Sequence, residues 1–281
     1  SGLQGWALGG LNRLLRVFLP EGTARETALY WVNSTLFYAV QLLTALAVWQ
    51  ELGVLPAAFW MAAILLAPWL QRGMKDLYWC LWTWLLPLLA ALWLCHCTRV
   101  RGKTPRGCWP LVAAACMVRC MCGFEFISTF LILCEAPLVY CWAGGDRRAW
   151  LRRMICTGFA AVGGVAAALG AWFIQGVIYF GSAAGSWQNL TGAVTSRVSL
   201  TDDMVSDVSV AQVLTRYFVE VDEPLLQFGP LTITLKPLIA VTLLGFALCL
   251  AVLALRKKPL AVLAGPALVW VLSLAAPVSW M

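Results

Sequence analysis

The chain has 281 residues, of which 62% are hydrophobic and only 12% charged, with mean hydropathy +0.81 and a formal net charge of +7. Soluble domains carry roughly 45–50% apolar residues, so these figures exclude an ordinary water-soluble globule and point to a membrane. The positive charge sits in short clusters between apolar runs, which argues against nucleic acid as a partner.

The first thirty residues place Leu11, Leu14, Leu15 and Phe18 at helical spacing, with Arg13 and Arg16 opposite. That is the pattern of an amphipathic helix lying on a membrane surface, a frayed chain end being the plainer alternative. Apolar runs follow at 31–50, 55–70 and 77–95, then at 154–180, 238–255 and 260–281. An apolar helix needs about 20 residues to cross the hydrocarbon layer, so each reads as a membrane segment. Residues 110–142 stand apart. Basic clusters flank them on both sides, so they enter and leave by one face, yet they are short for two crossings. A short helical hairpin broken at Gly123-Phe124-Glu125 satisfies both constraints. The whole reads as one all-α polytopic bundle over 1–281 with about eight membrane segments.

Orientation follows from charge. Arg99, Arg101, Lys103 and Arg106, then Arg147, Arg148, Arg152 and Arg153, then Arg256, Lys257 and Lys258 belong on the cytoplasmic side by the positive-inside rule. Residues 181–237 hold six acids against three bases and form an outer loop. Within it, 186–209 is rich in Ser, Thr, Gly and Asp and reads as irregular, 210–218 as a short amphipathic helix, and 225–235 as a hairpin about Gly229-Pro230. Residues 1–30 then also lie outside. The chain opens at Ser1 without a basic and then apolar leader and stops at Met281 within an apolar run, which reads as a piece of a longer protein without a signal peptide.

Arg119, Glu125 and Glu135 are the charges within the expected spans. An ionisable group in a membrane costs several kcal/mol unless paired or wetted, which makes each a functional candidate. The structural alternative is an ion pair, Arg119 with Glu135, across the hairpin. On the functional reading Glu125 lines a polar cavity at the break. Asp202 and Asp203 fit a divalent cation or a proton, or simply a solvated turn. Trp79, Trp82 and Trp84 fit a wall for a sugar ring or a prenyl chain, although most of the sixteen tryptophans fall at span ends, where indole anchors to the interface. Most of the eleven cysteines lie in or beside apolar runs and none in the outer loop, which argues against structural disulfides on an oxidising face. Metal ligation by Cys95-His96-Cys97 or by Cys116, Cys120 and Cys122 is weaker than simple packing, because zinc sites pair two spaced couples.

The strings Leu77-Tyr78-Trp79, Trp82-Thr83-Trp84-Leu85-Leu86-Pro87, Gly123-Phe124-Glu125-Phe126-Ile127-Ser128-Thr129 and Pro277-Val278-Ser279-Trp280 resemble a group of bacterial polytopic membrane proteins. That group is similar in layout to glycosyltransferases of the GT-C type. The resemblance implies residence in the bacterial cytoplasmic membrane and transfer of a sugar from a polyprenyl-phosphate carrier on the outer face, with membrane lipid and lipid-linked sugar as partners. It also implies a catalytic acid in the first outer loop, where only Glu21 and Glu26 stand here, and a His-containing outer segment after the Pro-Xaa-Ser-Trp string. Within this chain the residues expected to carry the chemistry are Glu125 as the catalytic acid or base, Arg119 and Arg197 at the phosphate, Trp79 and Trp82 at the donor, and Asp202 and Asp203 at a divalent cation. The rival reading is a secondary transporter or lipid flippase in which Arg119, Glu125 and Glu135 form a relay. A membrane assembly subunit without chemistry is the third.

Overall fold

The computed structural model describes residues 3–124, 127–198, 224–256 and 263–278, with Gln212 and Thr215. In chain order these form α1 (Leu3–Phe18), α2 (Gly22–Leu52), α3 (Val54–Leu66), α4 (Pro68–Gly73), a 3-10 turn (Leu81–Leu85), α5 (Leu86–Arg101), α6 (Cys108–Met121), α7 (Ile127–Gly144), α8 (Arg147–Phe180) and α9 (Ala183–Val198). A two-stranded hairpin, β1 (Leu226–Phe228) and β2 (Leu231–Ile233), leads to α10 (Leu235–Leu255) and α11 (Ala264–Val278). Among the described residues five segments are long and apolar enough to cross a membrane: α2, the 3-10 turn with α5, α7, α8 and α10. Three more apolar helices are shorter: α3, α6 and Ala264–Leu274 of α11.

The hairpin expected over 110–142 is α6 and α7, each reaching two residues beyond those limits. It breaks where expected. Gly123 takes φ 147, a conformation that a side chain disfavours, and Cys122 closes α6 with its N–H on the carbonyls of Val118 and Arg119 at 3.2 Å each. Along α1, Trp6, Leu14, Val17 and Phe18 are exposed. Arg25 ties the α1–α2 corner, donating from Nε to Asn12 Oδ1 at 3.1 Å and from Nη1 to the carbonyl of Leu19 at 2.9 Å.

Three expectations need correction. The run 55–70 is not one segment, because Pro68 lacks an N–H and holds Ala67 extended (φ −86, ψ 105), so the chain divides into α3 and α4. The run 77–95 begins with a turn and a 3-10 segment, and its α-helix starts only at Leu86, with Pro87 in the first turn. Residues 186–198 are not irregular: they belong to α9, which packs on α8 with the Ser186 hydroxyl donating to the carbonyl of Phe173 at 2.8 Å. The helix expected over 210–218 lies mostly outside the described residues, with Gln212 and Thr215 helical. The 225–235 hairpin is present, pairing Leu226 with Ile233 and Phe228 with Leu231.

One core cluster joins α5, α6, α7 and α8 through residues such as Leu94, Val112, Cys116, Leu138 and Ala161. α6 and α8 touch backbone to backbone at Gly164, where an added Cβ would lie 2.2 Å from the Ala113 carbonyl oxygen. α11 packs on α7, while α10 buries none of its residues and presents leucines outward. The bundle has two distinct ends. The loops 102–107 and 145–146 bring the first two basic clusters together, with Arg153 Nε donating to Thr104 Oγ1 at 3.0 Å, and the start of α11 lies here too, Gly265 against Tyr140. At the other end sit the α6–α7 apex, the 76–85 turn and α1.

Gly164→Val should therefore push α8 off α6 and lower thermal stability in detergent by about 1–3 kcal/mol, the cost of overpacking. Gly163→Ala, with open space beside it, should leave stability unchanged or raise it.

Candidate functional site

At the apex end the local sequence builds an aromatic and cationic cluster. Asp76 Oδ1 accepts the N–H groups of Tyr78 at 2.8 Å and Trp79 at 3.2 Å, an Asx turn that reverses the chain. Asn33 of α2, 1% exposed, holds that turn from below by donating Nδ2 to the carbonyls of Met74 at 2.8 Å and Asp76 at 3.1 Å. The turn delivers Trp79 beside Trp69 and Trp84, with ring centroids 6.2–6.5 Å apart in all three pairs. Arg119, on the last turn of α6, lies over the Trp84 ring at 4.9 Å and near that of Phe130 at 6.0 Å. It is 2% exposed. From above, Gln4 of α1 donates Nε2 to the Tyr78 carbonyl at 3.3 Å, and Phe124 meets Trp172 of α8 at 5.6 Å.

Of the expected site residues, Arg119 and Trp79 are thus brought together. Trp69 completes the aromatic group with Trp79 and Trp84, while Trp82 packs on the neighbouring cluster of Phe37, Ile64 and Leu81. Arg197 falls on the last turn of α9, away in sequence from the apex helices. Glu125, Asp202 and Asp203 lie outside the described residues. Among the described residues no three His, Cys, Asp or Glu side chains are grouped to hold a metal ion.

The ion pair between Arg119 and Glu135 is not formed. Both carboxylate oxygens of Glu135 are shielded from solvent and lack a hydrogen-bond partner, and the carboxylate faces α8, with Oε1 3.7 Å from the position a Cβ on Gly158 would occupy. Next along α8, Thr157 is fully buried and its hydroxyl is also unpartnered. The register of the hairpin explains the absence: Arg119 is on the final turn of α6 and Glu135 is midway along α7.

Two features were not anticipated from sequence. Glu51, its side chain 7% exposed, joins the ends of α2 and α5 by contacts to His96 Nδ1 at 3.1 Å and Arg99 Nη1 at 2.7 Å. Its position one residue past an apolar run was the available signal. The second is an apolar groove of about 600 Å³ between α2, α5 and α6, lined by Leu46, Gln50, Leu89, Trp93, Leu111 and Val118 among others. Its lining reaches Val118 on α6 and does not include Arg119. Comparison with known protein families, with curated proteins and with solved structures finds no match.

Two substitutions should move stability in opposite directions. Asn33→Leu strands the carbonyls of Met74 and Asp76 and should cost about 1–3 kcal/mol. Glu135→Leu removes a buried carboxyl that has no partner and should raise the unfolding temperature in detergent.

Proposed function

We propose that this is a glycosyltransferase of the bacterial cytoplasmic membrane, with about eight membrane segments, one of them the short broken hairpin, that transfers a sugar from a polyprenyl-phosphate carrier at the outer face. The observation that carries the reading is Arg119, buried between Trp84 and Phe130 at the broken apex of α6 and α7, on the helix that also walls the apolar groove with Leu111 and Val118. A guanidinium matches phosphate geometry and neutralises charge on a leaving group. Indole faces suit the apolar face of a sugar ring, and the groove suits a length of isoprenoid.

In this reading Glu125 takes the proton of the acceptor hydroxyl, whose oxygen attacks the anomeric carbon from the side opposite the phosphate. The carbon–oxygen bond to the lipid phosphate breaks, with inversion. Arg119 offsets the charge that grows on the departing phosphate, and Arg197 adds a second contact. Asp202 and Asp203 are assigned to a divalent cation serving the same phosphate. Trp79 and Trp82 line the donor side, with Trp69 and Trp84.

Glu125→Gln keeps the shape and removes the base, so transfer from a polyprenyl-phosphate sugar by the full-length protein in proteoliposomes should fall by about 100-fold or more. Wild-type turnover would reduce Glu125 to a structural residue. The orphaned carboxylate of Glu135 favours a second reading, a transporter that carries a proton or cation there. Movement of a solute across liposomes without any lipid-linked donor, lost in Glu135→Gln, would replace the enzyme by the transporter.

A further inference from the structure

Beside the indole cluster, on the same short helix α4, lies a cleft of about 360 Å³. It is lined by Leu65 and Leu66 of α3, Pro68 and Gln71 of α4, and Gln227 and Gly229 of the β1–β2 hairpin. The cleft thus occupies the break that Pro68 makes between α3 and α4, and the hairpin, which packs on α3, forms its other wall. α4 faces two ways. Trp69 joins the indoles, its ring centroid 6.2 Å from those of Trp79 and Trp84, while Pro68 and Gln71, three residues apart and so neighbours on a helix surface, line the cleft.

Gln71 is fixed in place. Its Oε1 accepts from the Tyr38 hydroxyl at 2.7 Å, and its Nε2 donates to the carbonyl of Ile64 at 2.9 Å. A primary amide has two N–H donors and two acceptor lone pairs, so one of each is left beyond these two bonds. Across the cleft Gln227 is exposed, held by the hairpin register opposite Thr232. None of the six lining residues is charged. A charged ligand would find no counterion among them, whereas hydroxyl groups pair with carboxamides as donors and as acceptors alike. The volume falls at the small end of the range for small-molecule sites.

We propose that this cleft is the acceptor site, binding a neutral, hydroxyl-bearing sugar unit between the carboxamides of Gln71 and Gln227. The inference rests on the transferase reading and divides its two substrates across α4, the donor on the side of Arg119 and the indoles, the acceptor on the side of Gln71. In the transfer the acceptor hydroxyl gives up its proton to the base and its oxygen bonds to the anomeric carbon. The bond from that carbon to the lipid phosphate breaks, and the phosphate leaves with the electron pair.

Full-length protein in lipid nanodiscs, without donor, is titrated with radiolabelled p-nitrophenyl glycosides of glucose, galactose, mannose and N-acetylglucosamine, with p-nitrophenyl glucuronide as the charged counterpart. At least one neutral glycoside should bind saturably, and the glucuronide more weakly. Gln227→Ala, at an exposed position that leaves the fold intact, should weaken the neutral glycoside about 3–10-fold, the worth of one hydrogen bond. Absence of saturable binding by every neutral glycoside, equal binding of the glucuronide, or unchanged affinity in Gln227→Ala overturns the proposal. Turnover of a polyprenyl-phosphate sugar separates this from the fate of the transferase. Hydrolysis of that donor to water with no glycoside bound overturns the acceptor site and leaves the enzyme standing. Glycoside binding with no release of sugar from the donor, to water or to glycoside, removes the enzyme and the acceptor role with it, leaving a sugar-binding cleft.

Discussion

Arg119 is 2% exposed, and its guanidinium lies against the rings of Trp84 and Phe130 at the end of a helix only 14 residues long. In an apolar bundle such a charge carries a desolvation cost of several kcal/mol that only specific neighbours offset. Much of the architecture at this end is what those neighbours require. The Asp76 turn brings Trp84 to the arginine, α7 starts where Phe130 can reach it, and α6 stops short so that the cation lies near a break in the backbone rather than in mid-helix. A guanidinium is suited to this place because its delocalised charge is weakly hydrated and stacks on aromatic faces.

The rest of the bundle is a frame for that end. α6 is pressed onto α8 at Gly164, where an added Cβ would meet the Ala113 carbonyl, and both helices share the α5–α8 core cluster. Away from the apex, Glu51 clamps the ends of α2 and α5 together, and these helices wall the groove with α6. α8, at 34 residues and 1.5 Å per residue, is about 50 Å long and exceeds a hydrocarbon layer of about 30 Å. α9 folds back along the last turns of α8, with Ser186 on Phe173 and Trp187 against the Phe173 ring.

Much of this was legible in sequence because the membrane simplifies the physics. Length and apolarity give the spans, charge divides the two ends, and the contradiction between flanking bases and short length at 110–142 forces a hairpin whose break falls at glycine. The apex site was half legible: Arg119 stands out as a charge among apolar residues and Trp79 as part of a dense indole cluster. What local reading missed depends on tertiary register. α9 has the Ser, Thr and Gly content of a loop, yet packing on α8 through Ser186 overrides weak helix propensity. Trp69 is ten residues from Trp79 and joins it only because Pro68 divides α3 from α4. The mismatch of Arg119 and Glu135 depends on the length of two helices, which composition does not fix.

The account stands on the apex, with its arginine and indoles, facing the outside of the cell. Cysteine introduced singly at the exposed positions Gln227, on β1 beside Leu66 and Pro68 where α3 gives way to α4 and the apex turn, and Arg148, at the basic end, tests this directly with a membrane-impermeant maleimide on intact cells. The account predicts that Gln227→Cys is labelled at once and Arg148→Cys only after the membrane is permeabilised. The reverse pattern would put Arg119 and its tryptophans toward the cytoplasm and contradict both the outer-face transfer and the orientation on which it rests.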